Sequence, residues 1–271
     1  MKFYTIFLSL LFVSSANIHA QNGDIVKEAR YVSINYAENI DTFRLLFNTH
    51  RSFFIKLQSK SNEEESKSNE EEMAIESNED GGVTINMRLA PEEKAGEEYV
   101  VYTDLKSNKI ISRQSIFTKD NTFVSYMVHE TINRPQWVIL NETKKIDNFN
   151  CTKAVTEFRG RHYTAWFTEE IPTVFGPWKL NGLPGLIVQV NDATNSIQYH
   201  LINYKNYSNV DKIDEPKGEK NITLREYAEL RKLQVENMAK LIQSKLPRGA
   251  IFEVESIEDD PLELTYEWEK H

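Results

Sequence analysis

In the run Phe175-Gly176-Pro177-Trp178-Lys179-Leu180-Asn181-Gly182-Leu183-Pro184-Gly185-Leu186-Ile187-Val188-Gln189-Val190, three glycines, two prolines and a tryptophan stand directly ahead of an aliphatic segment. Pro177 and Pro184 fix their own φ and push Gly176 and Leu183 out of the helical region, while Gly182 and Gly185 can take positive φ without steric cost. The spacing predicts two sharp bends. Behind the second, Leu186, Val188 and Val190 share one face of a strand and Ile187 and Gln189 the other. A strand apolar on nearly both faces belongs inside a sheet.

Outward from this run, alternation of apolar and polar residues predicts short strands at 31–36, 41–48 and 52–57, then at 99–105, 110–117, 123–129, 136–141, 151–158 and 161–168, and after the motif at 197–204. No helical pattern intervenes, so βαβ architecture is excluded and antiparallel pairing is favoured. Near the C-terminus, Thr223-Leu224-Arg225-Glu226 reads as a capping box. Leu224, Tyr227, Ala228, Leu230, Val235, Met238, Leu241 and Ile242 then fall on one broad helical face, which Pro247 and Gly249 terminate. The predicted fold is mainly β: a single curved antiparallel sheet or open half-barrel of about ten strands, its concave side covered by one long amphipathic helix at 223–245. Edge strands are expected at 251–254 and 262–268.

The chain has 271 residues, 40% hydrophobic and 27% charged, with a formal net charge of −9. Lys2, the apolar run 3–13 and Ile18-His19-Ala20 ahead of Gln21 form the pattern of a cleaved signal peptide, residues 1–20. Residues 21–271 then read as one exported domain, periplasmic or extracellular, with no transmembrane segment expected. Ser59-Lys60-Ser61-Asn62-Glu63-Glu64-Glu65 recurs residue for residue as Ser66 to Glu72, and from 59 to 80 nine carboxylates face only Lys60 and Lys67. A seven-residue repeat with no apolar position cannot be a coiled coil, so a disordered acidic insert is expected at 59–82. Asn78, Glu79 and Asp80 lack the ligand spacing of a calcium loop. Neither the insert nor the remainder offers the basic face that nucleic acid requires.

The hexapeptide Gly182-Leu183-Pro184-Gly185-Leu186-Ile187, with Cys151-Thr152-Lys153-Ala154, Phe158-Arg159-Gly160-Arg161, Ala165-Trp166-Phe167-Thr168, Ile171-Pro172 and Gly176-Pro177-Trp178 around it, resembles the GLPGLI family of secreted proteins from bacteria with an outer membrane. The resemblance implies export and a single GLPGLI-type domain. It brings no activity with it.

None of the familiar catalytic signatures occurs. Cys151 is the sole cysteine and a candidate reactive thiol. With His162 or His200 it is the basis of a thiol- or metal-dependent enzyme, against the plainer reading of a small buried hydrophobe. His129, His162 and His200 hold a metal only if they share one face, which the sequence leaves open. Tyr163, Trp166, Trp178 and Lys179 are candidate ligand-binding residues, their rings walling a cleft; the competing reading puts the aromatics in the core. No cofactor is implied. The expected function is a non-enzymatic envelope or secreted protein that binds a hydrophobic small molecule, lipid or peptide in the hollow between sheet and helix. A further alternative has the acidic insert recruiting a basic partner.

Overall fold

A computed structural model of the protein describes residues 25–34, 40–57, 73–77, 83–87, 99–120, 122–207, 212–218, 220–245 and 262–269. The expected signal peptide, the 251–254 strand and the acidic insert other than 73–77 lie outside these residues. Fourteen strands occur among them: β1 (Val26–Ile34), β2 (Ile40–Phe47), β3 (Arg51–Leu57), β4 (Met73–Ser77), β5 (Val83–Met87), β6 (Val100–Asp104), β7 (Lys109–Phe117), β8 (Phe123–Thr131), β9 (Val138–Ile146), β10 (Phe149–Phe158), β11 (Arg161–Thr168), β12 (Leu186–Asp192), β13 (Gln198–Tyr207) and β14 (Asn221–Thr223). One helix, α1 (Leu224–Lys245), follows.

Twelve strands form one sheet in the order β14-β8-β7-β6-β3-β2-β1-β13-β12-β11-β10-β9. The fold is mainly β. All pairings in this sheet are antiparallel except β14 with β8, which is parallel, a departure from the wholly antiparallel expectation. Its cause is local: the chain crosses to β8 through 212–218 and lays down three residues before the capping box turns it into α1. Within the 59–82 span expected to be disordered, Met73–Ser77 pairs antiparallel with Val83–Met87, Ile75 opposite Ile85. Beyond Glu72 the charge thins and β-formers alternate, which suffices for a hairpin.

The motif strand β12 is flanked by β11 and β13, and Leu186, Ile187, Val188 and Val190 are all buried. One face is covered by the segment that precedes it. Phe175, Trp178, Leu180 and Leu183 are buried in the same cluster as Tyr31, Leu45, Phe54, Phe158, Tyr163 and Val190. Burying each of the Phe and Leu side chains contributes about 1.5–3 kcal/mol. This loop, 169–185, therefore fills the position assigned from sequence to the helix. Instead α1 packs against β7, β8 and β14 at one end of the sheet, where Leu224 and Tyr227 meet Ile116 and Val128. Four bulky apolar side chains on a loop tied directly to β12 already cover that strand, and their burial leaves no place for α1 there.

Backbone detail bears out one bend and changes the other. Gly182 takes φ +104°, but Gly185 is needed for close approach, since a Cβ there would lie 2.0 Å from the Thr168 carbonyl oxygen. Trp178 itself adopts a left-handed φ of 53°, a cost of about 1–3 kcal/mol. Its ring stands edge-on to Phe158 at 5.7 Å, and that packing holds the strained backbone. Residues 262–269 form no strand. They end in a 3-10 turn, Glu267–Glu269.

Candidate functional site

The sequence candidates separate into core and surface. Tyr163 and Trp178 are buried, 6.5 Å apart between ring centroids. Burial pushes the Tyr163 hydroxyl pKa well above its ordinary value. Trp166 takes the opposite face of β11, where Lys144 Nζ sits 4.1 Å from its ring centroid and Lys153 is its ladder partner. The four ligand-binding candidates therefore do not line one cleft.

Lys179 is buried to 1% exposure. Its ammonium pairs with Glu130 and, at 2.8 Å, with Glu263. Burial alone would lower its pKa; the two carboxylates outweigh that and leave it raised. Arg159 joins the same cluster through Glu130 at 2.8 Å and Glu263 at 2.7 Å. Each of the two carboxylates thus faces both cations, a buried network in which removing one partner would leave charge uncompensated.

Cys151 is buried, and its thiol donates to the Phe149 carbonyl oxygen at 3.6 Å. Burial leads the causes that raise its pKa, so the thiolate that nucleophilic chemistry needs is disfavoured. Beside it Thr152 pairs with Phe167, whereas exposed His162 pairs with Glu157. Five ladder steps separate the two pairs, or about 17 Å at the usual strand rise. His200 Nε2 lies 3.5 Å from Asp147 Oδ2, and His129 Nε2 lies 2.8 Å from Asn221 Oδ1. Among the described residues no three His, Cys, Asp or Glu side chains gather to hold a metal.

Among the described residues there is also a cleft the sequence did not suggest. It encloses about 630 Å³, is open on one side, and is lined by Ile25, Lys27, Phe47, Asn48, Thr49, Pro172, Thr173, Val174, Phe175 and Pro184. Phe47 and Phe175 are buried and form its floor. Lys27 and Phe47 are partners in the β1–β2 ladder, so the cation stands beside the floor at the open end of the sheet. The β2–β3 turn is set by Asn48, whose Oδ1 accepts from the His50 and Arg51 amides at 2.9 and 2.8 Å. The opposite wall is the motif loop, held by Gly182 N–H to the Val174 carbonyl at 2.8 Å and Leu186 N–H to the Ile171 carbonyl at 3.0 Å. Three segments far apart in the chain meet here. The one local signal was the density of large apolar residues in 171–183, which a solvated turn would not carry.

A family model described as "N-glycanase peptide, N-terminal domain" matches residues 55–228. This chain belongs to that family. The match spans well over half its length and includes the motif loop, β12 and the start of α1. Among solved structures, PNGF-II is similar in two crystal forms, P21 and C2, at 13% and 14% sequence identity and a TM-score of 0.48 in each. The alignments cover 76% of this chain and 33% and 32% of the PNGF-II chains. The chain thus spans about a third of the length of the structures it matches. No curated protein matches it. Among the described residues no helix is long and apolar enough to cross a membrane.

Proposed function

We propose that this protein is an exported, non-enzymatic binding domain of GLPGLI type, and that its ligand is apolar and sits in the cleft between β1, the β2–β3 turn and the motif loop. In this reading the sheet is curled into an open half-barrel, filled at the centre by loop 169–185 and left hollow only at this rim. The carrying observation is the cleft itself: a volume inside the usual range of about 300–1,000 Å³ for ligand sites, an aromatic and aliphatic floor, and a few polar groups at the lip. A family described as the N-terminal domain of an N-glycanase is compatible with a module that binds rather than cleaves. The motif Gly182 to Ile187 supports the GLPGLI assignment and shapes one wall.

A lipid-like ligand suits the site better than an extended peptide. Pro172 and Pro184 carry no N–H, the Phe175 N–H is taken by Thr173 Oγ1 at 3.1 Å, and the Val174 carbonyl already accepts from Gly182. These groups are lost to a peptide backbone that would pair along that wall.

The test is titration of the purified protein with the neutral apolar fluorophore N-phenyl-1-naphthylamine. We expect saturable one-site uptake, abolished by Val174→Asp, with near-UV circular dichroism unchanged. Absence of saturable uptake, or uptake indifferent to the introduced carboxylate, overturns the reading.

A further inference from the structure

Resting on that reading, we infer that the ligand is a single-chain alkyl carboxylate, its head group held by Lys27 and Thr173 at the lip and its chain lying along Phe47, Pro172, Val174 and Pro184. The chemistry of the lip is one-sided. Thr173 Oγ1 accepts from the Phe175 amide and keeps its hydroxyl proton to donate. The Asn48 side-chain oxygen already accepts from two amides. Lys27 adds three donors and a full positive charge, and among the described residues no carboxylate lines the cleft to neutralise it. An ammonium and a hydroxyl donor on the same lip suit an acceptor-only, anionic group.

The charge count narrows the class. One ammonium matches one negative charge, whereas a phosphate monoester carries close to two at neutral pH and leaves the excess unpaired. The stem of Lys27 can lie along the apolar lining while its ammonium stays at the lip, as long cationic side chains do. An alkyl carboxylate then places its two oxygens at the lip and its methylenes against the floor.

The experiment is displacement of the bound fluorophore by dodecanoate, dodecanol and dodecyl phosphate, on the full chain and on Lys27→Met, Lys27→Arg and Thr173→Val. We expect dodecanoate to bind about tenfold or more tightly than dodecanol, the value of one charge-assisted contact. Lys27→Met should erase that preference and leave dodecanol unchanged, Lys27→Arg should restore it, and Thr173→Val should reduce it. Equal affinities of wild type for dodecanoate and dodecanol, or a preference that survives Lys27→Met, overturns the carboxylate assignment while the apolar-ligand reading stands. Tighter binding of dodecyl phosphate than dodecanoate overturns it in favour of a doubly charged head group. Failure of the fluorophore itself to bind removes the underlying reading instead. The wild-type comparison decides the matter even if a variant fails to fold.

Discussion

The guanidinium of Arg159, on the turn between β10 and β11, donates to Glu130 Oε2 of β8 across 2.8 Å. β8 is second from one margin of the twelve-strand sheet and β10 second from the other, so this pair joins ends that no backbone ladder connects. The same guanidinium reaches Glu263 and Glu267 at 2.7 and 2.6 Å. Lys179, from the motif loop, shares Glu130 and Glu263 with it. Four separate stretches of chain are thereby fastened at one buried point.

Lys179→Met should be severely destabilising. It leaves two buried carboxylates sharing a single guanidinium, and removing one partner of a buried ion pair costs about 3–5 kcal/mol. Urea unfolding followed by tryptophan fluorescence measures the loss. A change below about 1 kcal/mol would mean that water reaches Glu130 and Glu263, and the fastening would lose its meaning.

The motif glycines should rank by contact rather than by conformation. In Gly185→Ala the new Cβ would sit 2.0 Å from the Thr168 carbonyl oxygen and 2.9 Å from the Glu169 nitrogen. Backbone cannot swing aside as a side chain does, so a loss of about 3 kcal/mol or more is expected. At Gly182 the nearest atom is 3.8 Å away and only φ +104° objects, which costs about 1–2 kcal/mol. Equal unfolding midpoints for the two variants would show that the bend, not the close approach, dominates this turn.

How far the sequence shows this structure depends on the reach of each interaction. Strand alternation is local, and β2, β3, β7, β10 and β11 stand where it places them. So does the capping box, with Glu226 Oε2 accepting from the Thr223 amide at 2.7 Å. β1 is longer at its start than the pattern suggested, because Glu28 breaks the apolar alternation; it is nonetheless buried, paired with Arg30 at 2.7 Å. Tyr31 and Ala29 are fully buried, whereas Val32 is only partly so. One partner of Lys179, Glu263, lies 84 positions away, and Lys27 shares a cleft with Pro172 and Val174 only through the sheet order. No periodicity reports contacts of that range. The chemistry of the cleft was present in the residues, but their meeting was not.

Cys151 should behave as a packing residue. Buried and hydrogen-bonded to Phe149, with its ionisation disfavoured by desolvation, the thiol should be inert to Ellman's reagent in the native protein and titrate fully in urea. Cys151→Ser, which buries a more polar hydroxyl in the same apolar cluster, should cost about 1–3 kcal/mol. Rapid labelling of the native state would restore the thiol as a reactive group.

Acid should unfold the protein partly through Asp192. Burial pushes the pKa of this carboxyl up, but the donors around it outweigh burial: Thr194 hydroxyl at 2.6 Å, the Ile197 amide at 3.0 Å and the Arg161 guanidinium at 2.9 Å. The folded pKa lies below the ordinary aspartate value. A depressed carboxylate stabilises the fold fully above its unfolded pKa, about 3.9, and loses that contribution as pH falls through its folded one. Stability should therefore change little through Asp192 down to about pH 4 and drop below it. Asp104, also depressed and holding the Lys106 and Ser107 amides and Arg51, should add to the same limb. Urea midpoints between pH 6 and pH 2.5 test this on wild type and Asp192→Asn. The amide variant should be less stable near neutrality yet show a shallower acid slope, because it has no proton to take up. Parallel curves for the two proteins would place the acid sensitivity elsewhere in the molecule.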